Sequence, residues 1–482
     1  MKDLIRNLLF LFITFNGNPS FSQEATWYLP WENRINKLVE DSVLEVPIIN
    51  QYANYRILEI SSKDTVTLSN ITIESNNSEV KIYYAPIVFD YNGREILDVL
   101  KPVDQVTIGA ERNHYFFIKF TGKKPGSETV SVNIHSKDSV IYSTKNIYVS
   151  NAVNNFPFSI NTWAYFDYDF LTKGIREQVI QDLYDSKNDF LIIPHSYFPK
   201  VEKDIDELRI DKLREYIKNT DDKFKYHVLF FDYRSEYTSI LSDKWKKDFL
   251  VWIEKINKVF AENGVSESRI LLYPYDEPQG EAINKASEMY DWIKSNNIKN
   301  PLYVTIGGKD RKKALRLVQK TDFAQIASSL VESVSATDSK RTTLLLYTVA
   351  GSSRNIRPIT YLRYAGRAYK YGIQGIGVWH YSSMKGAFDV DYTIDLYKKP
   401  SWELEVLNIN KDYSLIYRES DKLYSSIRWK ALSYGVDEYQ FFKLYEAMHG
   451  KTKTDGIIHD IFNSKAMENY WEEFKLQFIK KM

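Results

Sequence analysis

The chain has 482 residues, with 64 Lys+Arg against 63 Asp+Glu and no cysteine. A formal net charge of +1 gives no electrostatic basis for binding nucleic acid, and the lack of cysteine excludes a disulfide framework, thiol catalysis, Cys-ligated zinc and an iron–sulfur cluster. The aromatic content is 26 Phe, 10 Trp and 36 Tyr, and the excess of Tyr, apolar on its face and polar at its tip, suits surfaces that bind sugars.

Residues 1–22 have the layout of a secretory signal peptide. Lys2 and Arg6 precede the apolar run Leu8 to Phe15, and Ser20-Phe21-Ser22 places small residues before a cleavage point at Gln23. The run is far short of the ~20 residues that span a bilayer, and no other segment is apolar enough to span one. The expected location is therefore periplasmic or extracellular.

Residues 24–150 read as strands and turns. Period-two runs occur at Thr65–Leu68, Lys81–Tyr84, Tyr115–Phe120 and Thr129–Ile134, and Asn92-Gly93 and Pro125-Gly126 supply turns. The pattern predicts a β-sandwich accessory domain.

From residue 155 to 450 short apolar strands alternate with amphipathic helical stretches. The strands are expected near Phe158–Phe166, Phe190–Pro194, Tyr226–Phe231, Arg269–Tyr275, Leu302–Ile306, Phe323–Ala327, Thr343–Tyr347 and Gly375–Trp379. The clearest helix carries Trp245, Phe249, Trp252, Ile256 and Phe260 at spacings of three and four. Eight alternations predict an α/β fold, a (β/α)8 TIM barrel. Its eighth helix is expected at Leu423–Lys430 or Tyr439–His449, and residues 451–482 form a C-terminal helical extension.

A barrel of this kind carries its active site at the C-terminal strand ends. Those ends offer Trp163, His195, Asp232, Tyr347 and Trp379, with Tyr381 just beyond. Strand four ends Tyr273-Pro274-Tyr275-Asp276-Glu277-Pro278. Adjacent carboxylates leaving a buried strand repel each other and are poorly solvated, which favours one neutral acid beside one anion. The pair also fits a plainer role, with Asp276 capping the next helix and Glu277 solvated. Aromatic strand ends favour the catalytic role, because Trp163, Tyr275, Tyr347, Trp379 and Tyr381 could stack on the C–H face of a sugar ring. The seven His are scattered and form no His-Glu-x-x-His or close ligand pair, so neither a metal nor a cofactor is expected. Asp389–Asp395 lacks the Gly and terminal Glu of a calcium loop.

Tyr275-Asp276-Glu277-Pro278 after an apolar strand resembles the Asp-Glu-Pro signature of glycoside hydrolase family 123. Tyr371-Gly372-Ile373-Gln374-Gly375-Ile376-Gly377-Val378-Trp379 is similar to that family's last barrel strand. Arg428-Trp429-Lys430-Ala431-Leu432-Ser433-Tyr434-Gly435-Val436-Asp437-Glu438-Tyr439 is similar to a following helix. The resemblance covers about residues 30–450. Ser433 departs from the family's Arg, Asp437-Glu438 reverses its Glu-Asp, and Gln374 replaces its acidic residue; these segments are read as structural. The resemblance implies a retaining β-N-acetylgalactosaminidase in which the substrate's 2-acetamido oxygen attacks the anomeric carbon. Carried over, Glu277 is the general acid/base and Asp276 orients the acetamido group. The alternative from the residues alone is a barrel that binds polysaccharide or an envelope partner without turnover.

Overall fold

A computed structural model describes residues 24–482 except 50–51, 63–65, 91, 104–105, 109–111, 137–139, 153–155, 167–168, 202–203, 221–222, 232–239, 309–310, 336–340, 349–352, 383–400, 403–413 and 464–467. The expected signal peptide therefore lies outside the described residues, as do Asp232 and Asp389–Asp395.

The first part of the chain forms two mainly antiparallel sheets. The strands Glu24–Leu29, Ala53–Ser62, Arg112–Gly122 and Ser78–Ala85 are neighbours in one sheet of eight. Val66–Glu74, Gly126–Ser136, Val140–Ser150 and Glu45–Ile49 are neighbours in a sheet of five. Val140–Ser150 alternates exposed and buried residues along most of its length, the signature of a strand with one wet face. Side chains from both sheets, among them Leu58, Ile60, Phe116, Ile118, Val130 and Val132, meet in one apolar cluster.

The second part holds eight parallel strands: β1 (Ser159–Thr162), β2 (Phe190–Pro194), β3 (Tyr226–Phe230), β4 (Ile270–Tyr273), β5 (Tyr303–Ile306), β6 (Phe323–Ala327), β7 (Thr343–Thr348) and β8 (Gly375–Val378). β2, β3 and β4 pair side by side, and β5, β6, β7, β8 and β1 do the same. Single bridges join the two groups, Ile160 with Asn188 and Leu272 with Leu302. The arrangement is mixed α/β and TIM-barrel-like. β2 and β4 are buried along their whole length, as parallel strands covered on both faces must be.

The covering helices follow the apolar spacing. In Asp243–Ala261 the residues Trp245, Phe249, Trp252, Ile256 and Phe260 are buried, and the Ser242 hydroxyl caps its N-terminus by accepting from the Trp245 N–H at 3.2 Å. Asp206 caps Glu207–Lys218 in the same way, accepting from the Leu208 N–H at 3.0 Å.

The end of the chain departs from the expected pattern. Lys422–Ser426 is a strand rather than a helix, and it extends the eight-stranded sheet through Val99–Pro102. The helix then runs unbroken over Ile427–His449, and the Ser426 hydroxyl fixes its start by accepting from the Trp429 N–H. Two further helices follow, Lys451–Asn463 and Glu468–Lys480. No helix among the described residues is long and apolar enough to cross a membrane.

Buried charge ties these ends to the first half. Arg428 donates to Asp98 from Nε at 2.9 Å and from a terminal nitrogen at 2.8 Å, and both side chains are wholly buried. Asp98 also accepts from the Tyr417 hydroxyl at 2.5 Å. Arg56 lies between Asp41 (2.6 Å) and Glu472 (3.0 Å), and Glu472 also meets Lys475. Two of the family departures fall in such contacts. Asp437 accepts from Lys187, and Glu438 accepts from Trp471 and Lys475.

Removing one partner of a buried pair leaves a charge without compensation and costs about 3–5 kcal/mol. Asp98→Ala is therefore expected to lower the unfolding free energy by that amount in a denaturant titration, and an effect below about 1 kcal/mol would show that the pair carries no load.

Burial alone would raise the Asp41 and Glu472 carboxyls, but Arg56 with Lys145 outweighs it at Asp41, and Lys475 with Arg56 outweighs it at Glu472, so both lie below their ordinary values. Their stabilisation is present above the unfolded carboxyl values of about 4 and is lost as pH falls through the lower folded values. Melting temperatures between pH 7 and pH 3 should fall most steeply below about pH 4, and Glu472→Gln should flatten that fall.

Candidate active site

The site begins with the filling of the barrel interior. Trp163, Phe190, Tyr273 and Tyr303 form an aromatic cluster inside the strands. Tyr273 stacks on Phe230 at 5.1 Å and meets Trp163 and Tyr303 edge-on at 5.5 and 4.9 Å. Beneath the rim, the Tyr303 hydroxyl donates to Gln325 at 2.6 Å and accepts from Asn161 at 2.7 Å. Gly377 gives Gln325 its room, since a Cβ there would lie 2.2 Å from the amide.

Tyr273 then reaches up to the carboxylate turn. Its hydroxyl donates to Asp276 Oδ1 at 2.5 Å. Burial, and next the Asp276 charge, raise the phenol well above its ordinary value, so it remains a donor. The backbone of Asp276 is also bridged to Thr305 of β5. The helix after the turn starts at Ala282 with Glu281 at its N-cap position. Asp276 is thus not the cap of that helix, and the plainer role for it falls away.

Glu277 has φ +42°, in the left-handed region that non-glycine residues rarely adopt. Such a conformation costs of order 1–3 kcal/mol, persists only where its surroundings enforce it, and concentrates at functional sites. Its carboxylate lies over Gly307, just past β5, where a Cβ would sit 2.9 Å from Oε2 and 3.0 Å from Cδ. Tyr347, at the end of β7, faces the same pair. Its phenol is raised by burial, then by the charges of Glu277 and Asp276. The ring of Trp379 is half-buried, and its indole N–H donates to the Tyr165 hydroxyl at 3.3 Å.

Asp276, Glu277, Tyr347 and Trp379 therefore gather at the C-terminal ends of the strands, with Trp163 buried below them. Among the described residues the Trp163 indole N–H has no acceptor. His195 is exposed on a short turn after β2, with its carbonyl accepting from Arg209 at 3.1 Å. No described contact joins it to the carboxylates.

Two aromatic expectations need correction. Tyr275 is buried in the layer between strands and helices, and burial and Glu288 push its phenol up to about 12. Tyr381 is also in that layer, donating to Asp182 at 2.7 Å and meeting Trp429 edge-on. In both cases the strand has ended, at Tyr273 and Val378, so the two-residue alternation no longer fixes the face.

Sequence reasoning missed Tyr165, Tyr273 and Gly307. The first could have been found, since Tyr165 follows Trp163 by two residues. The other two acquire their roles only from the side chain that arrives beside them. Among the described residues no three His, Asp or Glu side chains gather to hold a metal ion.

The chemistry available is that of two carboxylates fixed differently, one by a phenol and one by a strained backbone against a glycine. Gly307→Ala should push the Glu277 carboxylate aside while changing stability by less than about 0.5 kcal/mol, because the obstructing group is the end of a flexible side chain. A crystal structure of the variant with Glu277 unmoved would show that Gly307 does not set its position.

No protein-family model matches the sequence, and no curated protein matches it. Among solved structures, a family 123 glycoside hydrolase from Clostridium perfringens superposes with a TM-score of 0.69 at 12% identity, covering 95% of this chain and all of that one. A family 5 xyloglucanase from Bacteroides ovatus gives 0.37 at 10% identity over 82% of this chain and 98% of that one. A family 39 glycoside hydrolase from Bacteroides cellulosilyticus gives 0.39 at 10% identity over 83% and 82%. The two lower scores carry no argument, and the first establishes that this chain is similar in fold, along nearly its whole length, to a family 123 glycoside hydrolase.

Proposed function

We propose that the protein is an exported glycoside hydrolase that cleaves a glycan at an N-acetylhexosamine residue of N-acetylgalactosamine type, with retention and with the substrate's acetamido oxygen as nucleophile. The second half is read as one closed (β/α)8 barrel, and the two sheets before it as an accessory β-sandwich. The observation that carries the functional reading is the turn after β4, where Glu277 sits at φ +42° against Gly307 beside an Asp276 held by the Tyr273 phenol.

Ordinary retaining enzymes set acid and nucleophile on opposite sides of the bond, ~5–5.5 Å apart, whereas substrate-assisted enzymes need no nucleophile from the protein. Neighbouring residues cannot easily flank one bond, but they can serve its leaving oxygen and the acetamido group. In this scheme Glu277 protonates the leaving oxygen and later takes a proton from water. The acetamido oxygen attacks the anomeric carbon, and positive charge develops on the resulting oxazolinium. Asp276, aligned by Tyr273, accepts from the acetamido N–H and stabilises that charge. The Tyr347 hydroxyl, kept protonated, donates to the acetamido carbonyl. Trp379 provides an apolar face for the sugar.

The carboxylates separate kinetically. Glu277→Gln is expected to lose about 10²–10⁴-fold on natural glycosides and much less on activated aryl glycosides, which depart without protonation. Asp276→Asn is expected to lose activity with good and poor leaving groups alike, because the oxazolinium charge develops in both. A thiazoline analogue of the acetamido sugar should inhibit the wild type. Full activity in both variants, or a sugar trapped covalently on an enzyme side chain, would reject the mechanism, and binding of glycans with no turnover of any would favour the non-catalytic reading.

A further inference from the structure

A second cleft, of about 1120 Å³, lies between the eight-stranded sheet and the barrel helix Arg176–Asp185. None of the active-site residues lines it. Its volume is just above the ~300–1,000 Å³ range of small-molecule sites, which is more than an isolated ion requires. Six basic side chains line it against four acidic ones.

Two of the basic groups make no ion pair among the described residues. Lys119, half-buried on Arg112–Gly122, makes no hydrogen bond or ion pair among the described residues. Burial, and then the neighbouring Lys430 and Lys81, hold its ammonium below its ordinary value. Asp437, the acid that acts on it, is taken up by Lys187 and by the Ala53 N–H. Arg176 stacks over the Tyr216 ring at 5.3 Å, and its Nε and one terminal nitrogen are buried with no partner among the described residues. Buried donors without acceptors, as at Arg176, are costly, and together with the half-buried Lys119 ammonium on the same cleft they make an anion its natural complement. The half-buried ring of Tyr83 lines the same cleft and gives it an apolar wall on which a sugar face can lie.

We propose that this cleft binds a saccharide bearing carboxylate or sulfate groups, with Lys119 and Arg176 holding the anion and Tyr83 against the ring. The inference does not rest on the hydrolytic reading, since it is tested by binding alone.

Titration calorimetry of the full chain at low salt tests it, with three probes: a chondroitin 4-sulfate tetrasaccharide, its desulfated and carboxyl-reduced counterpart, and inorganic sulfate. The charged tetrasaccharide should bind saturably, and Lys119→Met and Arg176→Leu should each weaken it at least about tenfold, the loss expected for a charge-assisted hydrogen bond. Lys119→Arg should retain binding. Any affinity for the neutral tetrasaccharide, which keeps the acetamido groups that the carboxylate site is proposed to read, should be the same in Lys119→Met and Arg176→Leu as in the wild type, which separates this cleft from that site. Lys119→Met should melt no lower than the wild type, because a desolvated ammonium without a partner is replaced by an apolar group of similar length. No binding, equal affinity for the charged and neutral tetrasaccharides, or affinity unchanged in both variants overturns the proposal. Inorganic sulfate binding as tightly as the tetrasaccharide overturns its saccharide part.

Discussion

The ion pair of Asp98 with Arg428 is the contact on which the two halves of the molecule depend. It is shut off from water and completed by the Tyr417 hydroxyl and the Ser414 carbonyl, so the charges are satisfied rather than merely opposed. The same place fixes the backbone, for the Ile427 N–H donates to the Asp98 carbonyl at 2.8 Å. The last long helix therefore starts from the edge of the first-half sheet. Arg56, on the inner strand Ala53–Ser62 of that sheet, repeats the device by meeting Glu472 of the final helix. The two first-half sheets are consequently joined to the barrel-like part by paired charge as well as by apolar contact, and the largest core cluster runs through both.

This rigidity matters at the carboxylate turn. The interior beneath it is filled by Trp163, Tyr273 and Tyr303, and close-packed side chains resist displacement. From this filling the Tyr273 hydroxyl reaches upward, and it ends on Asp276. A carboxylate aimed by a buried phenol keeps its direction at no cost in reorganisation when charge develops nearby. Glu277 is held by other means, a left-handed backbone and the absence of a side chain at Gly307. The two neighbours thus have independent supports, as the unlike roles proposed for them require.

Most of the second half could be read in the sequence. Parallel strands buried on both faces are short apolar runs, and Phe190–Pro194 and Phe323–Ala327 have the bounds that their composition suggests. The helix Asp243–Ala261 follows from its spacing of aromatic residues. Misreadings arise where a local rule was extended past the element that justifies it. Lys422–Ser426 has helical spacing too short to decide, and pairing with Val99–Pro102 makes it a strand. Tyr275 and Tyr381 stand beyond their strands, so alternation says nothing about their direction.

The sequence by itself determined where the apolar strands and helices lie, how the helices start, and that Asp276 and Glu277 leave a buried strand together. These are properties of neighbours in the chain, fixed by periodicity and by capping side chains. The tertiary structure alone decided that Tyr273 holds Asp276, that Glu277 rests on Gly307, that Tyr347 faces both, and that Lys119 and Arg176 share a cleft while making no ion pair among the described residues. The physical reason is that periodicity specifies which face of an element is apolar, whereas the partner that face meets is set by packing between residues far apart in the chain.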